Sequence, residues 1–248
     1  MTDVPPLALL AGGLATRLRP LTEKVPKSLL EVAGEPFVAH QLRLFRAKGV
    51  GRVVICAGYL GEMIREFVGA GDRFQLSVEY SFDGDRLLGT GGALRKALPL
   101  LGREFMVVYG DSWLDTNYGA LAAAFRSAGK PAMMTVFRND GAWDASNVEF
   151  DGTRILAYDK RVRTPRMRHI DWGLGMFRPE VFAGRAAEQE FDLANLYMSL
   201  VKRGELAGLE VRERFYEIGS AAGMAETERH LRQSYASNLQ PPNGGIEG

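Results

Sequence analysis

Two glycines followed by a cationic turn are the first residues in this chain with the look of chemistry. Gly12-Gly13-Leu14-Ala15-Thr16-Arg17 ends an apolar run at residues 7–11, and Lys27 stands ten residues beyond Arg17. Small residues let a backbone close around a bulky anion, while Arg and Lys supply the charge to hold it. The pattern predicts a strand that ends in a triphosphate-binding loop. A second candidate, Asp111, follows the apolar run 105–109 and Gly110. A carboxylate at the carboxyl end of a buried strand is costly without a partner. A divalent cation bridging phosphates would be that partner; capping of the next element is the bland alternative. Residues 88–94 put Gly89, Thr90, Gly91 and Gly92 before a helical pattern, so the backbone can approach a flat ring. The same residues also read as a plain helix start capped by Thr90. Lys160 falls in a charge run at 159–163, whose default is a solvated face.

The loop has neither the P-loop pattern nor the dinucleotide fingerprint, because its glycines are adjacent. His40, His169 and His230 form no metal-ligand spacing, and no Ser-His-Asp order stands out. His40 and His230 fall in helix-like segments, and His169 in a polar loop before Trp172.

The elements that must position these residues alternate. Strand-like runs at 7–11, 53–57, 76–82, 105–109 and 132–137 are interleaved with helical patterns at 37–48, 61–68, 91–98 and 118–128. That beat predicts an α/β fold with a mostly parallel sheet covered on both faces. Ligands then bind at the carboxyl ends of the strands, where Gly12-Gly13 and Gly110-Asp111 both lie. From about residue 142 the pattern turns β-rich. A hairpin is expected at 148–158 around Asp151-Gly152, a strand at 173–177 and a helix at 191–203 with Asp192 near its start. Short strands at 209–212 and 215–219 and a closing helix at 221–235 complete it. The expected organisation is one domain over residues 1–236, with a first half at 1–140, a β-rich second half at 141–220, and a flexible tail at 237–248.

The chain of 248 residues is 46% apolar and 25% charged, with a formal net charge of +1. That balance argues against nucleic acid or an anionic membrane as partner. The single cysteine, Cys56, sits in an apolar run and reads as a core residue. One cysteine allows no intrachain disulfide, which suits a reducing compartment. With no signal-peptide pattern and no run of membrane-spanning length, a cytoplasmic protein is expected.

Six motifs in order resemble the sugar-1-phosphate nucleotidyltransferases. They are residues 12–22 with Pro26-Lys27 and Gly34-Glu35-Pro36, then Leu88-Gly89-Thr90-Gly91-Gly92, Gly110-Asp111, Asp159-Lys160, Trp172-Gly173-Leu174-Gly175 and Glu217-Ile218-Gly219. The departures are Ala15 for a third glycine, Glu35 for a lysine and Glu217 for the usual Asp. The resemblance implies a Rossmann-like three-layer αβα sandwich with a mixed, mostly parallel sheet and a small β-rich sugar-binding excursion. It implies a nucleoside triphosphate and a sugar-1-phosphate as substrates and Mg²⁺ as cofactor. Arg17, Lys27, Asp111 and Lys160 are the implied catalytic residues. Leu10, Ala11, Gly12, Gly13, Thr16, Arg17, Gly58, Gly89, Thr90 and Gly91 would face the nucleotide. Lys27, Asn147, Lys160, Trp172 and Gly173 would face the sugar phosphate, although Trp172 reads equally as a packing residue. Asp111 and Glu217 would hold the metal. The resemblance is nearest to the short guanylyltransferases acting on heptose- or mannose-1-phosphates, so GTP is the expected donor. Cytidylyl, uridylyl and thymidylyl transfer and a non-catalytic nucleotide sensor stay open. A nicotinamide-dependent oxidoreductase lacks its fingerprint. The apolar face of the 191–201 helix is the expected seam of a homodimer.

Overall fold

The computed structural model describes residues 4–239. The chain opens with β1 (Leu7–Leu10), a small β2 (Glu31–Val32) and β3 (Glu35–Pro36) ladder, and α1 (Phe37–Ala47). Then come β4 (Arg52–Ala57), α2 (Gly61–Val68), β5 (Ser77–Phe82), α3 (Gly89–Leu101) and β6 (Phe105–Tyr109). They are followed by β7 (Ser112–Trp113), α4 (Tyr118–Ala128), β8 (Ala132–Arg138), β9 (Val148–Phe150) and β10 (Ile155–Tyr158). The last elements are β11 (His169–Phe177), α5 (Leu193–Lys202), β12 (Leu206–Val211), β13 (Tyr216–Glu217) and α6 (Ala221–Leu239).

β5, β4, β1 and β6 lie side by side and parallel. β11 runs antiparallel to β6 on one edge and to β8 on the other, and β12 is parallel to β8. The β9–β10 hairpin joins through Val148, paired with His169. Side chains alternate across this sheet, as a period of two requires. Leu7, Leu9, Val53, Ile55, Met106 and Val108 pack with α1, α2 and α4 on one face. Ala8, Leu10, Val54, Cys56, Phe105 and Val107 pack with α3 and α5 on the other. The result is the three-layer α/β arrangement with a mixed, mostly parallel sheet. No described helix is long and apolar enough to cross a membrane.

Three expectations change. β11 begins at His169, four residues before the expected strand, so His169 and Trp172 are strand residues and not loop. The apolar face of α5 is not free for a second copy: Leu193, Leu196, Tyr197 and Leu200 are buried in the protein's own core. α6 continues through Leu239, so the first residues of the expected tail are helical. The rest of that tail lies outside the described residues.

Candidate active site at the strand ends

The glycine loop is shaped by a meeting of two backbones. β1 ends at Leu10, and the Ala11 amide donates to the Cys56 carbonyl at 2.9 Å. A β-carbon on Gly12 would lie 3.0 Å from the Gly58 nitrogen, and one on Gly58 would lie 2.7 Å from the Gly12 oxygen. The two turns approach this closely because neither carries a side chain. Gly58 therefore supports the loop from behind. Ala15 adopts φ 48°, the left-handed region that its glycine counterpart would occupy without strain. The Thr22 hydroxyl donates to the Ala15 carbonyl at 2.8 Å and holds the turn. Thr16 and Arg17 follow in an exposed 3-10 turn. Below the loop lies a cavity of about 220 Å³ lined by Leu10, Ala11, Gly12, Gly13, Lys27, Gly89, Thr90 and Asp111, among others.

The flat-ring side of this cavity is built from the start of α3. Thr90 does not cap α3. Its hydroxyl accepts from the Leu193 amide at 2.8 Å and lies 3.3 Å from Asp192, so it ties α3 to the start of α5. Gly91 does not offer its amide to a ligand: the N–H donates to the Phe191 carbonyl at 3.0 Å. A β-carbon on Gly91 would fall 2.2 Å from the Phe191 ring, so this glycine serves close packing. Asp83, missed in the sequence, also lines the cavity. One of its oxygens accepts from the Leu88 amide at 3.1 Å, and burial pushes its proton affinity up. Cys56 reaches the same wall, with its thiol pushed up to about 12 by burial and by the Asp83 charge. It is an inert lining residue.

Lys27 and Asp111 line the cavity, and Glu217 stands beside them on the wall of a second cleft. Lys27 Nζ donates to Asp111 Oδ2 at 2.8 Å. β7 and β13 pair antiparallel with Glu217 opposite Ser112, and the Ile218 amide donates to the Asp111 carbonyl at 2.9 Å. That ladder sets two carboxylates from distant segments side by side. A β-carbon on Gly219 would stand 3.3 Å from Glu217 Oε1 and 3.8 Å from Asp111 Oδ2, so both face one point. The Glu217 proton affinity is raised, first by burial, then by the charges of Asp111 and Asp144, with Lys27 and Arg17 opposing. Two hard oxygen donors side by side, with Lys27 paired to one of them, fit a small divalent cation. No group of three or more His, Cys, Asp or Glu residues forms a metal cluster among the described residues. The remaining ligands of such a cation would be phosphate oxygens and water.

The opposite flank carries the other cation. Lys160 Nζ lies 5.8 Å above the ring of Tyr109, a residue of the cavity wall. Beneath it is Asp171, a second residue not anticipated. Its carboxylate accepts from the Gly173 amide at 3.1 Å and lies 3.4 Å from the Tyr158 hydroxyl. Burial raises its proton affinity while the Lys160 charge lowers it. The Asn147 Oδ1 accepts from the Asp171 amide at 3.0 Å, which fixes the strand at this point. Gly173, at φ 101°, marks the register shift of β11 between Asp171 and Gly175. Trp172 is a correction. Its indole is 1% exposed within the core, and its N–H donates to the Glu213 carbonyl at 2.8 Å. Period two sends it to the face away from its neighbours, so it offers no surface to a sugar.

Arg17 is set apart from the first cavity. It lines a separate cleft, of which Glu217 is also a wall. The sequence-derived residues thus divide into a loop and cation pair around one cavity, Lys160 with Asn147 and Gly173 on its flank, and Arg17 beyond.

Comparison with known proteins fits this arrangement. The sequence pattern of the family described as Nucleotidyl transferase matches residues 8–190. The N-acetylmuramate alpha-1-phosphate uridylyltransferase of Neisseria meningitidis serogroup B is 30% identical over 227 residues, 89% of this chain and 95% of that protein. The mannose-1-phosphate guanyltransferase of Gibberella zeae is 33% identical over 132 residues, 52% of this chain and 36% of its own length. A solved structure described as a putative glucose-1-phosphate thymidylyltransferase from Bacillus anthracis superposes with a TM-score of 0.81 at 20% identity, covering 92% of this chain and 95% of that one. This chain belongs to the nucleotidyl transferase family and has the fold of its sugar-1-phosphate nucleotidyltransferases.

Proposed function

We propose that the protein transfers a nucleoside monophosphate from a nucleoside triphosphate to a sugar-1-phosphate and releases pyrophosphate. The observation that carries this reading is the convergence of Lys27 and Asp111, which line the glycine-loop cavity, with Glu217 beside them. A phosphate oxygen is already ionised at neutral pH, so the acceptor needs no general base. The barrier is the meeting of two polyanions, and the residues act by positioning and neutralisation. The amides of the glycine loop cradle the triphosphate. Lys27 leaves Asp111 to hold the α-phosphate, Arg17 takes the β- and γ-phosphates, and Lys160 holds the incoming sugar phosphate. Asp111 and Glu217 would hold a divalent cation such as Mg²⁺, which would draw charge from the phosphate oxygens.

GTP acting with a heptose- or mannose-type 1-phosphate is the first reading of specificity. Asp83 supports it, because guanine presents two donors, N1–H and a 2-amino group, to an acceptor on the cavity wall, where uracil and thymine present one N3–H. UTP is the second, favoured by the uridylyltransferase that matches nearly its full length. Pyrophosphate release, measured for GTP, UTP, CTP and dTTP against a panel of sugar-1-phosphates with Mg²⁺, tests both readings. Turnover confined to UTP would remove the guanine assignment. Silence across the panel would remove the transferase assignment.

A further inference from the structure

The cleft that Arg17 lines is larger than the glycine-loop cavity and has none of its lining residues. It measures about 520 Å³, and its walls include Trp143, Arg214, Glu217 and Arg229 as well as Arg17. We propose that this cleft receives the departing pyrophosphate, and that Arg214 and Arg229 hold it together with Arg17. The inference rests on the nucleotidyl-transfer reading given above.

Its location follows from the order of groups along the site. Lys27, Asp111 and Glu217 mark the reacting phosphate. The acceptor oxygen comes from the Lys160 flank and forms a bond to the α-phosphorus. The bond from that phosphorus to the α,β-bridging oxygen breaks, and its electron pair leaves on the β-phosphate. Attacking and leaving oxygens lie roughly in line, so the leaving group departs away from the acceptor. The second cleft adjoins the reacting phosphate, because Glu217 of the cation pair and Arg17 of the glycine loop are among its walls.

Its charge suits the ligand. Three arginines, Arg17, Arg214 and Arg229, face three carboxylates, Asp144, Glu217 and Glu226. Glu226 is already bound to Arg214 at 2.7 Å, and Glu217 belongs to the cation site. Once those two are engaged, Arg17 and Arg229 outweigh Asp144. Arg214 is also preorganised: its guanidinium lies 3.5 Å from the Trp143 ring centroid and 4.7 Å from that of Tyr216. Its Nε is buried with no hydrogen-bond partner among the described residues. A planar guanidinium fixed between two rings loses little freedom when it binds an oxyanion. Arg229 projects from α6 and is exposed, so it can be replaced without disturbing a core.

Trp143 supplies the assay. It is 51% exposed against Arg214, whereas Trp113 and Trp172 are 7% and 1% exposed. Tryptophan fluorescence of the full chain, titrated with inorganic pyrophosphate and Mg²⁺, should change saturably in the wild type. Arg229→Gln should weaken that binding by about tenfold, the scale of one lost charge-assisted contact. Arg214→Gln should do so as well, with the far-UV circular dichroism spectrum confirming its fold. In turnover, Arg229→Gln should raise the inhibition constant of pyrophosphate by the same factor and leave the KM of the sugar phosphate within about threefold. Equal pyrophosphate affinity in Arg229→Gln and wild type would overturn the proposal, even in an active transferase. Arg229-dependent pyrophosphate binding in a protein that turns over no substrate pair would sustain the cleft and overturn the transferase reading.

Discussion

Asp111→Asn isolates the charge of one carboxylate while keeping its shape. In the ligand-free protein two effects oppose each other. Lys27 loses its partner at 2.8 Å, and Glu217 loses the repulsion that raises its proton affinity. The Lys27 and Asp111 side chains are 22% and 27% exposed, so the pair contributes on the order of 1 kcal/mol. Relief at Glu217 offsets part of that, and the melting temperature should move by less than about 4 °C for a chain of this size. In turnover the effects add, because the cation site loses one of its two carboxylates and Lys27 loses its anchor. Removal of one preorganised charge contact lowers kcat by about 10²–10³, or about 2.7–4 kcal/mol. The metal gives a second measure. At about ten times its dissociation constant, Mg²⁺ stabilises the wild type by about 1.4 kcal/mol. That corresponds to a rise in melting temperature of about 3–6 °C. The rise should collapse in the variant. Pyrophosphate release at saturating substrates and thermal melts with and without Mg²⁺ provide both readouts. A kcat within about threefold of wild type, or an undiminished metal shift, would refute the reasoning.

Other outcomes follow from the same geometry. Glu217 titrates above its usual value of 4.5 in the fold, so the folded state binds its proton more tightly than the unfolded chain. Metal-free stability should therefore fall as pH rises through and above that value, and Mg²⁺ should raise the melting temperature more at about pH 7.5 than at about pH 5. A flat metal shift over that range would contradict it. Gly91→Ala drives a methyl into the Phe191 ring and should lower stability by about 1–3 kcal/mol in urea titration. An unchanged midpoint would show that Phe191 yields freely. The Cys56 thiol, held at about 12, should resist iodoacetamide at about pH 8 in the native state and react once urea unfolds the chain. Rapid native labelling would place it at an open surface.

The strands and helices of the sheet were legible because each is long enough to show its own period. The helix predicted over residues 61–68 matches α2, and the run 105–109 matches β6. The seam that assembles the cation site was less visible. β7 and β13 have two residues each, too few for any alternation, and they exist because Trp113 and Ile218 bury together with Val32, Phe37, Leu44 and Leu231. Asp111 and Glu217, picked out by motif, do lie close to Lys27, whereas the sequence left Trp172 open between sugar contact and packing, because a glycine neighbour says nothing about which face a strand residue takes. Asp83 and Asp171 carry no motif signal: Asp83 reads as one of several polar residues in the turn 81–86, and Asp171 as an isolated acid whose surroundings depend on Lys160 and Tyr158. Arg214 and Arg229 sit outside every recognisable motif. Their convergence depends on the angle at which α6 returns across the strand ends.

The two-residue ladder between β7 and β13 has a consequence for how the protein loses activity. Its closure joins residues 112–113 to residues 216–217, so it carries a large entropic penalty and few interactions of its own. Such a seam belongs to the low end of the ladder of local stabilities, well below the parallel strands β1, β4 and β6. On warming, α6 and β13 should part from β7 while the sheet remains intact, separating Glu217 from Asp111 in an otherwise native molecule. Catalytic competence is then governed by a local opening equilibrium and not by global unfolding, and any ligand that bridges the two carboxylates acts as a latch for the carboxyl-terminal segment.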